Sequence, residues 1–458
     1  MAKKRQSKSL DKIKTGKWQR QWSVAKAGMV ASTGTATQML GSAFLQKDKR
    51  QQKNKQILSQ QAQYLAQELG KLKGSIVKVG QLMALYGEHV LPLEVTEALR
   101  SLEEQTLSLS WSAIEPSMKE QLGDAFDDFI IEEQPIGAAS LAQVHKAYHK
   151  SSNQQMCLKL QYPLVAEAID ADIDSIVNLL SLLRLVKVDH GFNEWVEEMR
   201  QLLHLEVDYH RESQLTQLFY ERLQQHDCYQ VPQVFAHYCT STLLVNSFEA
   251  GFSVTSEKVA CLSQARRNRL GRAFLQLFID ELFRWGEIQT DPNFGNYRIF
   301  IDENAAAKDK LVLLDFGAVL KYDDNFLQPV KDMLLGAYHG DDKRVLDGAI
   351  ALKIMHPELP EEVHADFIQL CCLLIEPFVH IGRQIPEHAV NSKGEYRWAD
   401  SGLPKRAAKH AATSAMSRHF VVPPKEFAFL SRKLLGVYSF IAALGAEFNP
   451  DNMLDEFK

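Results

Sequence analysis

The chain of 458 residues is poor in cysteine and has no long apolar run. Its six cysteines include the adjacent pair Cys371 and Cys372 and form no C-x-x-C. That argues against a disulfide framework or a zinc site and fits a reducing compartment. Cys157, inside the apolar stretch "MCLKL", reads as a small core residue. No stretch of about 18 apolar residues exists, so no helix is expected to span a bilayer. The nearest stretch, "FIQLCCLLIEPFVHIG", is interrupted by Gln369, Glu376 and Pro377 and reads as a buried helix. There is no G-x-x-x-x-G-K-[ST], which leaves a P-loop fold unsupported. A net charge of −5 gives no case for nucleic acid as a partner.

What is present is an ordinary globular composition, 45% hydrophobic and 24% charged, with one asymmetric segment. The N-terminal "MAKKRQSKSLDKIKTGKWQRQWSVAKAG" carries nine Lys or Arg against one Asp, with Trp18 and Trp22. Two readings stand: contact with an anionic membrane surface, or a solvated tail. No secretory signal is recognisable, so the expected location is cytoplasmic, with peripheral membrane association if the first reading holds.

Periodicity divides the remainder. Residues 1–55 form the basic, small-residue segment. Across 56–122 a helical extension is expected, with Leu65, Leu69, Leu72, Ile76, Val79 and Leu82 or Met83 on one apolar seam. From 123 to 250 the pattern suggests antiparallel strands around Ile130, at "LAQVHKAYH" and at "QMCLKLQ". A long helical stretch from about Leu164 to Gln224 follows, then strands at "VFAHYC" and "TLLVNSF". From 251 to 458 helices surround a hairpin, and 386–406 reads as an exposed loop.

Five short stretches could together handle a metal-nucleotide. In "PIGAASLAQVH", Gly137, Ala138, Ala139 and Ser140 are small enough for backbone N–H groups to approach a phosphate. Lys159 stands alone in the apolar "CLKLQYP", either as a phosphate-binding lysine or as an edge-strand residue facing water. Glu206, Asp208 and Glu212 in "LHLEVDYHRES" are candidate partners for that lysine, or solvated helical acids. In "QTDPNFGNY", Asp291 and Asn296 have the spacing of a kinase catalytic loop, and Asp315-Phe316-Gly317 follows the apolar strand "KLVLL". Carboxylate and amide oxygens are the ligands Mg²⁺ prefers. The kinase H-R-D is absent, with "QTD" in its place. No A-P-E follows "DFGAVLKY", which disfavours a peptide kinase.

With those residues in view, residues 20 to 440 resemble the UbiB/AarF family of atypical kinase-like proteins, which is associated with coenzyme Q biosynthesis and related lipid metabolism. The resemblance rests on "KVGQ" (Lys78 to Gln81), "PIGAASLAQVH", "LKLQYP", "EVDYHRE", "QTDPNFGNY" and "LLDFGA", with "AKAGMVASTGTATQML" alongside. It implies an α+β, two-lobed kinase-like fold: a small antiparallel-sheet N-lobe, a helical C-lobe and an N-terminal helical extension. It also implies ATP and Mg²⁺ as cofactors. Lys159 would hold the α- and β-phosphates, Ala138, Ala139 and Ser140 would lie over them, and Asp291 would be the catalytic-loop aspartate. Asn296 and Asp315 would be the metal ligands. Backbone groups of Phe248 and Glu249 in "VNSFEAG" would reach adenine. Lys78 and Gln81 would occupy the site where a protein kinase binds peptide.

The expected pairing is Lys159 with Glu212 and Lys78 with Glu206, although the sequence leaves open which glutamate serves which lysine. The activity implied is ATP hydrolysis or phosphorylation of a quinone precursor or lipid. The alternative is a nucleotide-binding pseudokinase scaffold for a membrane-associated biosynthetic complex. Oligomeric state is open, a homodimer included. Gly137 stands where the family usually has alanine, Ala142 where it has glycine, and Ser247 where it often has glutamate.

Overall fold

The computed structural model describes residues 75–87, 91–101, 108–139, 141–182, 185–186, 188–379, 385–415, 423–450 and 452–457, with scattered positions between 56 and 69. The basic N-terminal segment, Leu65, Leu72 and Ser140 lie outside the described residues. The chain forms two compact units, one of residues 1–214 and 233–248, the other of 215–232 and 249–458.

The first unit begins with helices α1 (Ser75–Tyr86), α2 (Leu93–Arg100) and α3 (Trp111–Leu122). The seam expected from the sequence is buried wherever it is described: Leu69, Ile76, Val79, Leu82 and Met83. Each such side chain contributes roughly 1.5–3 kcal/mol by leaving water. The strands β1 (Phe129–Ile131), β2 (Gly137–Ala138), β3 (Ala142–His149), β4 (Gln155–Gln161) and, after an excursion, β6 (Leu243–Ser247) form one antiparallel sheet. Its order is β1-β3-β4-β6, with β2 paired to β3. β4 therefore lies in the middle of the sheet, and Lys159 sits opposite Val144 on one side and Leu244 on the other. That removes the edge-strand reading of Lys159.

The stretch expected as one long helix is three: α4 (Val165–Leu182), α5 (His190–Glu206) and α6 (Tyr209–Leu223). Asp189 caps α5 by accepting from Phe192 N at 3.1 Å. Asp208 starts α6 by accepting from Arg211 N at 3.0 Å, since short acceptor side chains favour helix starts over interiors. The expected strand "VFAHYC" is instead a 3₁₀ turn, Ala236–Tyr238, with one bridge from Val234 to Asn246. Its alternation is too short to extend the ladder.

Behind the sheet, two side chains of β3 tie down the chain that leads to it. Gln143 accepts from Leu109 N at 2.9 Å, and its amide nitrogen bonds His145 Nε2 at 2.8 Å. His145 Nδ1 bonds the Glu132 carbonyl at 2.8 Å, so the ring is neutral with its proton on Nδ1. His145 is fully buried, and burial holds its pKa below the ordinary 6.5 despite the opposing pull of the Glu132 carbonyl. The unfolded chain therefore binds this proton more readily than the folded one. The stability contributed is complete above pH 6.5 and is lost as pH falls through the depressed folded value. We expect thermal unfolding midpoints of the first unit to fall between pH 7.5 and 5, and the fall to be shallower in His145→Gln. Parallel curves would show that His145 is not the titrating group.

The second unit is mainly helical: α7 (Gln264–Ile279), α8 (Asp324–His339), α9 (Asp342–Ala351), α10 (Glu361–Leu374), α11 (Leu403–Ala415) and α12 (Lys425–Ala443). Short strands sit among them. β5 (Tyr229–Gln230), β9 (Lys310–Leu313) and β8 (Tyr297–Phe300) form one sheet, and β7 (Glu287–Gln289) pairs with β10 (Val319–Lys321). Phe274, Tyr297 and Phe440 pack ring to ring in its core, with centroids 4.7–5.7 Å apart. Residues 386–406, expected as an exposed loop, are instead anchored in the core. Tyr396 and Trp398 are in the core, where Tyr396 donates to Glu376 at 2.7 Å and Trp398 to the Phe448 carbonyl at 3.1 Å. Large aromatics with satisfied polar ends outweigh the polar composition around them.

Candidate nucleotide and metal site

In the first unit the structure brings together two lysine–glutamate pairs. Lys159 Nζ donates to both oxygens of Glu212, at 2.6 and 2.9 Å. Glu212 is almost completely buried, while Lys159 keeps 23% of its side chain exposed. The ring of Tyr209 lies 5.2 Å from the same ammonium. Lys78 on α1 pairs with Glu206, and Gln81, also on α1, is half-buried. The break between α5 and α6 lets two glutamates six positions apart serve different lysines. Gln161 holds that break by donating to the Val207 carbonyl at 2.6 Å. Gln161 lies two residues after Lys159, on the same face of β4, and the sequence reading did not single it out.

The described residues of the small-residue loop bond to β3. Gly137 and Ala138 pair with Val144 and Gln143, and Ala139 N donates to the Ala142 carbonyl at 2.8 Å. The expected approach of Ala139 N–H to a phosphate therefore requires that bond to open. Phe248 N donates to the Gln155 carbonyl at 3.0 Å, and its ring carries Lys146 at 4.1 Å. In the second unit Glu249 accepts the Gln230 amide.

Asp291, Asn296 and Asp315 also belong to the second unit, at the ends of the β8–β9 hairpin. Asn296 Nδ2 donates to Asp291 Oδ2 at 2.9 Å, and Leu314 N donates to the Asn296 carbonyl at 2.9 Å. Asp315 is therefore one residue beyond the strand position that meets Asn296. Its Oδ1 accepts from Gly317 N at 2.9 Å. Phe316 is buried against Phe219, ring centroids 4.8 Å apart. Arg432 Nη2 lies 3.7 Å from Asp291 Oδ1.

The residue missed by sequence reasoning is Gln289, seen there only as a departure from H-R-D. Its side chain, in a residue 3% exposed, accepts from Asp291 N at 2.9 Å and donates to the Asp315 carbonyl at 2.6 Å. One amide thus fixes the backbones that carry both aspartates. A buried amide can do this because it offers a donor and an acceptor from one planar group.

The residues fit Mg²⁺. Among the described residues no group of three or more His, Cys, Asp or Glu is arranged to hold a metal by itself. Mg²⁺ is usually held by one or two protein oxygens, with substrate phosphates and waters completing its shell. Asn296 Nδ2 is committed to Asp291, so its side-chain oxygen would be the atom offered to the ion, with the Asp315 carboxylate as the second protein ligand.

Helix α12 closes on the loop at Pro292. A Cβ built on Gly436 would stand 2.1 Å from Pro292 Cβ. Helix propensity alone favours Gly→Ala by about 1 kcal/mol, but overpacking costs about 1–3 kcal/mol. Gly436→Ala is expected to be net destabilising by denaturant unfolding; a stabilised variant would show that the loop yields freely.

The ABC1 atypical kinase-like domain model matches residues 101–349. The chain is 26% identical to the mitochondrial atypical kinase coq-8 of Caenorhabditis elegans over 88% of its length and 52% of the relative's. It is 25% identical to mitochondrial atypical kinase COQ8 of Schizosaccharomyces pombe, over 96% of this chain and 69% of that one. It is 27% identical to the Saccharomyces cerevisiae COQ8, over 86% and 75%. The chain thus spans about half the length of the nematode relative. Among solved structures, Rv3197 of Mycobacterium tuberculosis, determined with erythromycin, superposes with a TM-score of 0.58 at 20% identity, covering 85% of this chain and 93% of that one. That likeness shows the fold. Among the described residues no helix is long and apolar enough to cross a membrane. With an antiparallel-sheet unit, a helical unit and the matched domain model, the chain is a member of the ABC1 (UbiB) family of atypical kinase-like proteins.

Proposed function

We propose that the chain is a Mg²⁺-dependent atypical ATPase or small-molecule kinase that supports coenzyme Q or related lipid metabolism and does not phosphorylate peptides. The observation that carries this reading is the meeting of Asp291, Asn296 and Asp315 on backbones tied by Gln289. A bound Mg²⁺ would supply neutralisation of phosphate charge. Asn296 and Asp315 would hold it. Lys159, kept in place by Glu212, would grip phosphate oxygens, and Asp291 would orient the attacking hydroxyl or water, or take its proton. Phe248 N–H is committed to Gln155, and other backbone groups of Phe248 and Glu249 would reach adenine. Lys78 and Gln81 would stand where a peptide substrate would otherwise lie. The basic N-terminal segment would supply a peripheral contact with anionic membrane, near a quinone precursor or lipid substrate.

A second reading, a nucleotide-responsive scaffold for a membrane-associated complex, draws on the self-bonded Ala139 loop. The deciding experiment is Mg-ATP turnover by the purified full chain, with and without anionic liposomes and a phenolic quinone-precursor mimic. Turnover that rises with liposomes supports the enzyme. Tight Mg-ATP binding with no turnover under any condition would replace it with the scaffold.

A further inference from the structure

Beneath the Asp291 loop lies a buried charged pair that no motif includes. Lys433 on α12 is 1% exposed, and its Nζ stands 3.2 Å from Glu281 Oε2 and donates to the Tyr297 hydroxyl at 3.2 Å. Glu281 is also 1% exposed. It belongs to the π-helical turn Asp280–Trp285 between α7 and β7, and that turn packs against β7, the strand that ends at Gln289. The Phe274 and Tyr297 rings each lie 5.6 Å from Lys433 Nζ. The flanking positions of α12 also meet the loop, with Arg432 beside Asp291 and Gly436 against Pro292.

Stability alone does not account for this pair. Withdrawing two ions from water costs several kcal/mol each, and a well-packed apolar pair of similar volume is often as stable or more so. What the ions add is direction. Tyr297 directly follows Asn296, and Gln289 holds the backbones of Asp291 and Asp315. One ammonium therefore reaches both chain segments that flank the site. Lys433 lies well beyond residue 349, where the family match ends.

We infer that Lys433 is a positioning residue: through Glu281 and Tyr297 it holds segment 289–297, and with it Asp291, Asn296 and Asp315, in one arrangement. That this arrangement serves a metal-nucleotide rests on the function proposed above; the positioning does not.

The test uses the full chain with Lys433→Met and with the double variant Glu281→Gln/Lys433→Met, which leaves no uncompensated buried charge. The first readout is amide hydrogen exchange without nucleotide. In both variants segment 287–299 is expected to exchange at least ~10-fold faster, while α7, α10 and the first unit's sheet keep wild-type rates. The second readout is the gain in affinity that Mg²⁺ gives a non-hydrolysable ATP analogue. That gain is expected to shrink at least ~10-fold in both variants, with Mg²⁺-free affinity within about twofold.

Wild-type exchange in segment 287–299 of the double variant would overturn the inference. So would faster exchange spread evenly over the second unit, which would make the pair an ordinary stability element. If the segment loosens while the wild-type chain binds no nucleotide, the positioning is upheld and the proposed function fails.

Discussion

By the proposed function, Asp315→Asn is expected to lower Mg-ATP turnover by at least ~10²-fold, the scale of removing one well-placed electrostatic group from a phosphoryl-transfer site. The substitution separates charge from structure. Asn keeps an oxygen for Gly317 N–H, so the turn that Asp315 forms at 2.9 Å survives. The Asp315 carbonyl that accepts from Gln289 belongs to the backbone and is unchanged. Thermal unfolding should therefore move little while steady-state turnover collapses. The loss should be greatest at limiting Mg²⁺, because a neutral amide oxygen is a weaker ligand than a carboxylate. Turnover at the wild-type rate would remove the metal role from Asp315, and with it the central support for an enzyme.

The largest effect on stability is expected from Lys159→Met. Glu212, with 3% of its side chain exposed, would lose the ammonium that donates to both its oxygens. Breaking a buried pair from one side costs about 3–5 kcal/mol, because a charge remains where water cannot reach it. The double variant Lys159→Met/Glu212→Leu should regain most of that loss, since a matched apolar pair is close to neutral. Urea unfolding followed by a probe in the first unit would measure both. A drop below about 1 kcal/mol in the single variant would mean that Glu212 finds water or another donor. By the proposed function, nucleotide affinity should stay low in both variants, because neither restores a cation at β4.

These cases show where the sequence was informative. The Asp291-x₄-Asn296 and Asp-Phe-Gly spacings were readable because each is local and its flanking strand is marked by an apolar run. The seam through Ile76, Val79 and Met83 was readable for a similar reason, since periodicity records burial directly. Lys433 and Glu281 were not legible. Nothing near either residue in the chain signals a partner, and a buried lysine looks like a surface lysine until its surroundings are known. Gln289 was hidden differently: its position was noticed, but its role depends on two backbones meeting across β7 and β10. The 386–406 stretch misled because its polar average concealed Tyr396 and Trp398, whose burial decides where the chain runs.

The hydrogen bond from Ala139 N to the Ala142 carbonyl has a bearing on resting occupancy. An N–H already bonded to a neighbouring carbonyl is a closed state, and a phosphate held through that N–H would meet only the open fraction. The apparent dissociation constant is then the intrinsic one divided by that fraction, so one open molecule in ~100 weakens binding ~100-fold. Any surface or partner that favours the open hairpin strengthens nucleotide binding by the same factor without touching the nucleotide. By linkage, bound nucleotide strengthens the hold on that surface or partner equally.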